Sequence, residues 1–114
     1  MIDLKRGAVV PVRLDPSEGR EIRKTRPAVI VSNAVACTFD AVVQVVPLTR
    51  LPDRELRPYE ARVDSAQSGL AKPSRLVANQ IRTVSRQRIG EVLGRVTESE
   101  IRQIDQSLRI QLAL

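Results

Sequence analysis

The sequence predicts a mainly β fold: a compact, partly open antiparallel β-barrel with one α-helix packed on it at the C-terminal end. Three observations carry that expectation. Short segments rich in Val, Ile and Thr alternate at period two, clusters of Pro, Gly, Ser and charge separate them, and the last stretch changes to helical spacing. With 114 residues, of which 42% are hydrophobic, the chain is long enough for one packed core, and a single domain over residues 1–114 is expected.

Residues 6–15, RGAVVPVRLD, read as the first strand, with Pro11 marking an edge or bulge because it has no N–H for a ladder. Residues 16–26 form a long charged loop poor in apolar side chains, a composition typical of functional segments. Residues 27–33, PAVIVSN, and 41–49, AVVQVVPLT, are expected as central buried strands, and 50–58, with two prolines and five charges, as a loop. Residues 59–64 alternate cleanly. A turn region at 65–74 precedes a strand at 75–84 that runs into a turn, and a last strand is expected at 88–96. Thr97 followed by Glu100 makes a capping box, and Ile101, Ile104, Leu108 and Leu112 recur at three- and four-residue spacing, which predicts a helix over about 97–113 with a core-facing stripe.

Composition excludes several classes of function. The chain has no histidine, so triads, His-based acid/base pairs and His-ligated zinc are out. Cys37 is the one cysteine, which rules out an intramolecular disulfide and fits a reducing, cytoplasmic setting; without a histidine partner it reads as a small buried filler. The opening MIDLKRGAVV lacks a signal-peptide apolar stretch, and the longest apolar run, residues 41–48, is far shorter than the ~20 residues of a membrane helix. Carboxylates are scattered singly and the five glycines miss the spacings of phosphate-binding loops, so no metal, nucleotide or other cofactor is expected.

Lys and Arg number 19 against 13 Asp and Glu, a net charge of +6. The excess is concentrated: residues 1–30 carry seven positive and four negative charges, residues 71–95 six and one. If these regions meet they form a patch for polyanions; on charge alone an ordinary solvated surface remains the alternative. A basic surface, hydroxyls at strand ends and a few loop carboxylates suit RNA cleavage, because the substrate brings its own 2′-hydroxyl nucleophile and the protein need only align it and stabilise charge.

The order of residues is more specific than the inventory. Arg6-Gly7, Leu14-Asp15-Pro16, Gly19, Glu21 and the run Arg26-Pro27-Ala28-Val29-Ile30-Val31-Ser32-Asn33 are followed by VVPLT at 45–49, SGLAKPSR at 68–75, NQIRTV at 79–84 and RIGEVLGRV at 88–96. This succession resembles the MazF/PemK family of toxin endoribonucleases over essentially the whole chain. The resemblance implies an SH3-like barrel of the CcdB/PemK kind and a homodimer. It further implies metal-independent, sequence-specific cleavage of single-stranded RNA to 2′,3′-cyclic phosphate and 5′-hydroxyl ends. A cognate MazE-like antitoxin whose C-terminal segment blocks the RNA groove is implied as well, with DNA reached only through the antitoxin complex. By the same resemblance Arg26 and Thr49 are the catalytic arginine and threonine, and Glu21 is a loop carboxylate implicated in some members. Arginine is a poor general base, so the 2′-hydroxyl proton is left to Glu21 or to an arginine in an unusually deprotonating environment, with Glu21 favoured. Gly19, Arg23, Lys24, Pro27, Ser32, Asn79 and Gln80 are the expected RNA-binding set.

Three positions depart from the family pattern. Asn79 stands where an acid is frequent, Thr25 where a basic residue is common, and Pro11 with Val12 replace a first-strand aromatic. With Phe39 and Tyr59 as the only aromatics, base recognition is expected to rest on hydrogen bonds, from groups such as Asn79 and Gln80, rather than on stacking. Two other functions stay open at this stage. One is a CcdB-like, non-enzymatic gyrase poison on the same fold, and the other a basic barrel that only binds nucleic acid.

Overall fold

The period-two segments pair into one curled antiparallel sheet, an open half-barrel closed on one side by a helix. In the computed structural model, which describes residues 4–114, the elements are β1 (Ala8–Arg13), β2 (Thr25–Ile30), α1 (Ala34–Phe39), β3 (Val42–Arg50), β4 (Glu60–Val63), β5 (Ser74–Val77), β6 (Arg82–Ser85), β7 (Gly94–Arg95) and α2 (Glu98–Leu112). Met1–Asp3, the start of the segment read for targeting signals, lie outside the described residues. The strands are ordered β4-β5-β3-β2-β1-β7, and β6 pairs β3.

β3 is the spine of the sheet. Its VVQVVPLTR sequence is apolar on both faces because both faces are covered. Val10, Val12, Ala28, Ile30, Val43 and Val45 fill one cluster, while Val9, Val29, Val46, Leu48, Val63 and Leu76 fill a second with Ile104 and Leu108 of α2. Burying a side chain such as Val29 or Leu48 completely contributes ~1.5–3 kcal/mol. Pro11 faces Pro27 across β1 and β2, and its carbonyl accepts from Gly90 N–H on the other side, so the N–H it lacks is missing from the β1 edge rather than from the β1–β2 ladder.

Four expectations are corrected. The strand predicted over 75–84 is broken: Leu48 pairs Leu76 and Val45 pairs Arg82, so three steps along β3 are matched by six on the partner. The surplus residues form a 3-10 turn, Ala78–Gln80, opposite Val46 and Pro47. The predicted 88–96 strand is mostly extended chain, reduced to the two residues of β7 and a single Val12–Ile89 bridge. The β1 edge it would pair with is blunted by Pro11. α1 was not expected; Asn33 caps it by accepting from Ala36 N–H at 2.9 Å, and Arg86 closes its other end by donating to the Ala36, Cys37 and Asp40 carbonyls. In the C-terminal stripe, Ile104 and Leu108 are buried and Ile101 partly so, whereas Leu112 is 48% exposed, on the wall of a cavity shared with Val31 and Gln44.

α2 is bolted on at its start. Thr97 and Glu100 form the predicted capping box, and the same Glu100 carboxylate accepts from the Asp64 and Ser65 N–H groups and the Ser65 hydroxyl beyond β4. Burial works to raise the Glu100 pKa, but these bonds outweigh it and hold it below the usual carboxylate value. Gly69 has φ +76°, and a Cβ there would lie 2.1 Å from the Leu93 carbonyl oxygen, so only glycine lets this turn approach the chain leading into β7. Among the described residues no helix is long and apolar enough to cross a membrane.

Candidate active site

The register of β2 against β3 sets Ala28 opposite Pro47. The ladder ends at that pair, and Arg26 and Thr49 lie two residues beyond it on β2 and β3. Both belong to a cleft of about 530 Å³ with an apolar floor of Pro27, Leu48, Leu51 and Leu70, and with Arg26, Arg50 and Lys72 contributing charge. No carboxylate lines it. Among the described residues Arg26 makes one hydrogen bond, from Nε to the Arg23 carbonyl at 3.3 Å, which leaves both Nη groups uncommitted. Such an exposed fork can grip two oxygens of a phosphate. On its other side Thr49 is opposite Arg75 of β5.

Arg75 belongs to a different arrangement. The Glu60 carboxylate, 1% exposed, accepts from Arg75 and, at 2.8 and 3.1 Å, from Arg54, and its fourth partner is the Arg57 N–H at 2.7 Å. Burial pushes the Glu60 pKa up, but the arginine and backbone donors prevail and hold it at about 2 instead of 4.5. Four ion pairs are formed among the described residues, by Arg6, Arg54, Arg62 and Arg75. Arg26, Arg50 and Lys72 therefore keep their full charge toward the cleft.

The two basic segments do meet. Arg82 donates to the Leu14 carbonyl, Arg88 to those of Arg13 and Asp15, and Arg13 to that of Gln87. Because the acceptors are backbone oxygens, the contacts fasten the chain without neutralising it. This accounts for much of the 71–95 charge as structural bracing.

The 16–24 loop is closed at its neck by Leu14 N–H donating to the Lys24 carbonyl at 2.8 Å. Lys24 and Gly19 take left-handed conformations, φ +66° and +55°, and Arg23 reaches back to the Gly19 carbonyl. Glu21 is exposed, its carboxylate accepting from Glu18 N–H at 2.9 Å, and it lies outside the cleft lining. Asn79 is exposed on the 3-10 turn, whereas Gln80 beside it is occupied within the protein: its carbonyl accepts from Ile22 N–H and its amide donates to the Arg20 carbonyl, both at 3.2 Å. Ser32 is buried, donating to Gln44 Oε1 and accepting from Gln44 N–H, and lines a separate cavity with Arg6 and Asp105.

Of the residues singled out in the sequence, the fold thus gathers Arg26, Pro27 and Thr49 in one cleft, puts Gly19, Glu21, Arg23 and Lys24 on the adjoining loop, and sets Ser32 elsewhere. Lys72 and Arg50 were not anticipated. Lys72 sits in the SGLAKPSR run that was read as a turn, and Arg50 directly follows Thr49; the signal was an unpaired cation next to a hydroxyl at a strand end. Cys37 is buried, donates to the Ser32 carbonyl, and burial pushes its thiol pKa up. No group of three or more metal-ligating side chains occurs among the described residues.

A curled antiparallel sheet with a C-terminal helix, and a cation-lined cleft that holds Arg26 and Thr49, define the fold and its candidate site. The model of PemK-like, MazF-like toxins of type II toxin–antitoxin systems matches residues 5–112, and the chain belongs to this family of toxin endoribonucleases. It is 34% identical to endoribonuclease MazF9 of Mycobacterium tuberculosis, over 97% of this chain and 98% of that one, and 27% identical to endoribonuclease EndoA of Bacillus subtilis, over 97% and 96%. Among solved structures, MazF from Deinococcus radiodurans shares the fold with a TM-score of 0.85 at 20% identity over the whole of both chains. A mycobacterial endoribonuclease solved with its cognate antitoxin superposes at 0.79 with 26% identity, covering 97% of this chain and 96% of that one.

Proposed function

We propose that the chain is one domain that cleaves single-stranded RNA at a short sequence without a metal ion. The observation carrying this reading is the cross-strand placement of Arg26 and Thr49 in a cleft whose cations have no carboxylate partner. The 2′-hydroxyl attacks the adjacent phosphorus, the bond to the 5′-oxygen breaks, solvent water protonates that oxygen, and a 2′,3′-cyclic phosphate and a 5′-hydroxyl result. Arg26 holds the non-bridging oxygens as negative charge builds on them, and the Thr49 hydroxyl donates to one of them. Glu21, on the loop leading into Arg26, takes the 2′-hydroxyl proton. Gly19, Arg23, Lys24, Pro27 and Asn79 bind the flanking nucleotides, with Lys72 and Arg50 on phosphates.

The protein acts in the cytoplasm as the toxin of a toxin–antitoxin pair. The antitoxin's C-terminal segment fills the RNA groove, a reading supported by the mycobacterial relative solved with its cognate antitoxin. A homodimer belongs to the same reading, and Val35, Phe39 and Val42, exposed at 66%, 79% and 44%, supply apolar surface for it. Light scattering at micromolar concentration reads out the dimer, and a monomer removes that part.

Incubating the purified protein with a long RNA in EDTA and mapping 5′ ends tests the activity. Cuts recurring at one short sequence and bearing 5′-hydroxyls are expected. Intact RNA with inhibited DNA gyrase would instead establish the non-enzymatic alternative.

A further inference from the structure

We infer that Gln80 is a positioning residue that fixes the 16–24 loop, and with it Glu21, over the sheet. Its two bonds straddle one residue: Oε1 accepts from Ile22 N–H and Nε2 donates to the Arg20 carbonyl, across 58 and 60 residues of sequence. Glu21 is the residue between them. On the same stretch Ile22 packs its side chain against the first core cluster, and Glu21 N–H and carboxylate exchange hydrogen bonds with Glu18. Glu21 is thus held from both flanks although its own side chain is exposed.

The 3-10 turn Ala78–Gln80 makes this possible. An unbroken strand would commit the backbone of these residues to β3; the three surplus residues release them, and Gln80 bonds a loop instead of a ladder. An amide suits the task because it donates and accepts at once, matching one N–H and one carbonyl. A side chain already occupied in this way is unlike a base-reading group, whose donors and acceptors face the ligand.

The inference rests on the role proposed for Glu21, and its test separates the two. Hydrogen exchange of the free protein reads the tether without RNA: Gln80→Ala is expected to strip protection from the Ile22 amide while core strands stay protected. Single-turnover cleavage of a defined RNA is then compared for Gln80→Ala, Glu21→Gln and the double variant. Misplacing a catalytic group by about an ångström costs up to about a hundredfold, so Gln80→Ala is expected to lower the rate ten- to a hundredfold, and the double variant to be no slower than the slower single one. Gln80→Glu keeps the acceptor for the Ile22 N–H but loses the donor to the Arg20 carbonyl, so it is expected to restore part of the Ile22 protection and part of the rate lost in Gln80→Ala. Unchanged Ile22 exchange in Gln80→Ala, or losses that multiply in the double variant, would overturn the inference. A Glu21→Gln protein with wild-type rate and pH profile overturns the proton-transfer role of Glu21, and the tether is then decided by exchange alone.

Discussion

Two groups of arginines on the same sheet have opposite fates. Around Glu60, Arg54 and Arg75 surround a carboxylate with 1% exposure, and their charge is spent holding β4, β5 and the preceding loop together. On the far side of β3, Arg26 faces solvent with a single 3.3 Å side-chain bond to a backbone carbonyl, and Arg50 and Lys72 share its cleft. Thr49 touches both groups, opposite Arg75 of β5 and sharing the cleft with Arg26. The contrast separates structural from functional charge by what each cation bonds: a buried carboxylate fixes it, whereas a backbone carbonyl leaves its charge available to an anion.

The sharpest way to break this division is at the cleft. Arg26→Ala and Thr49→Ala are each expected to lower RNA cleavage by about 10²–10³-fold with unchanged thermal unfolding, and Arg26→Lys is expected to recover little because an ammonium lacks the planar fork. Normal cleavage in both alanine variants would refute the assignment.

The Glu60 group should show the reverse pattern. Glu60→Gln leaves two arginines around a poor acceptor and is expected to cost about 3 kcal/mol in denaturant unfolding, while the surviving folded fraction still cleaves RNA. Acid should act through the same residue. Because its folded pKa, about 2, lies below the ordinary 4.5, its stabilisation is complete above about pH 5 and is lost as pH falls from there toward 2. Glu100, also lowered, shifts stability in the same direction.

Smaller effects refine the boundary. Thr97→Ala removes the helix cap and is expected to cost about 1 kcal/mol of stability without altering cleavage sites. Lys72→Ala should leave stability unchanged, weaken RNA binding uniformly across sequences and reduce the salt slope by about one unit. A change in cleavage sequence instead would make Lys72 a base reader.

Legibility from sequence followed periodicity. Val, Ile and Ala at alternating positions placed β1 to β4, and the Thr97/Glu100 pair placed α2, because these signals are local. What failed depended on partners distant in sequence. The break between β5 and β6 is imposed by how the chain is matched to β3, and the loss of the last strand by a proline on a neighbouring one. The short α1 was marked by Asn33 ahead of an Ala-rich stretch, but the arginine that closes its far end comes from Arg86. At the site, Arg26 and Thr49 were legible as an ordered pattern, whereas Lys72, Arg50 and the occupied state of Gln80 required the fold to bring loops together. Ser32 was carried along by its run and turned out to serve the interior.

The neck formed by Leu14 and Lys24 has an evolutionary consequence. Everything between those residues is joined to the sheet through one backbone bond, two strand ends, the amide of Gln80, the Arg88 bond to the Asp15 carbonyl and the packed side chain of Ile22. The loop can therefore be lengthened, shortened or recoded while the floor bearing Arg26 and Thr49 keeps its geometry. A recoded loop would change Gly19, Glu21, Arg23 and Lys24 together, while the cleft floor is inherited unchanged.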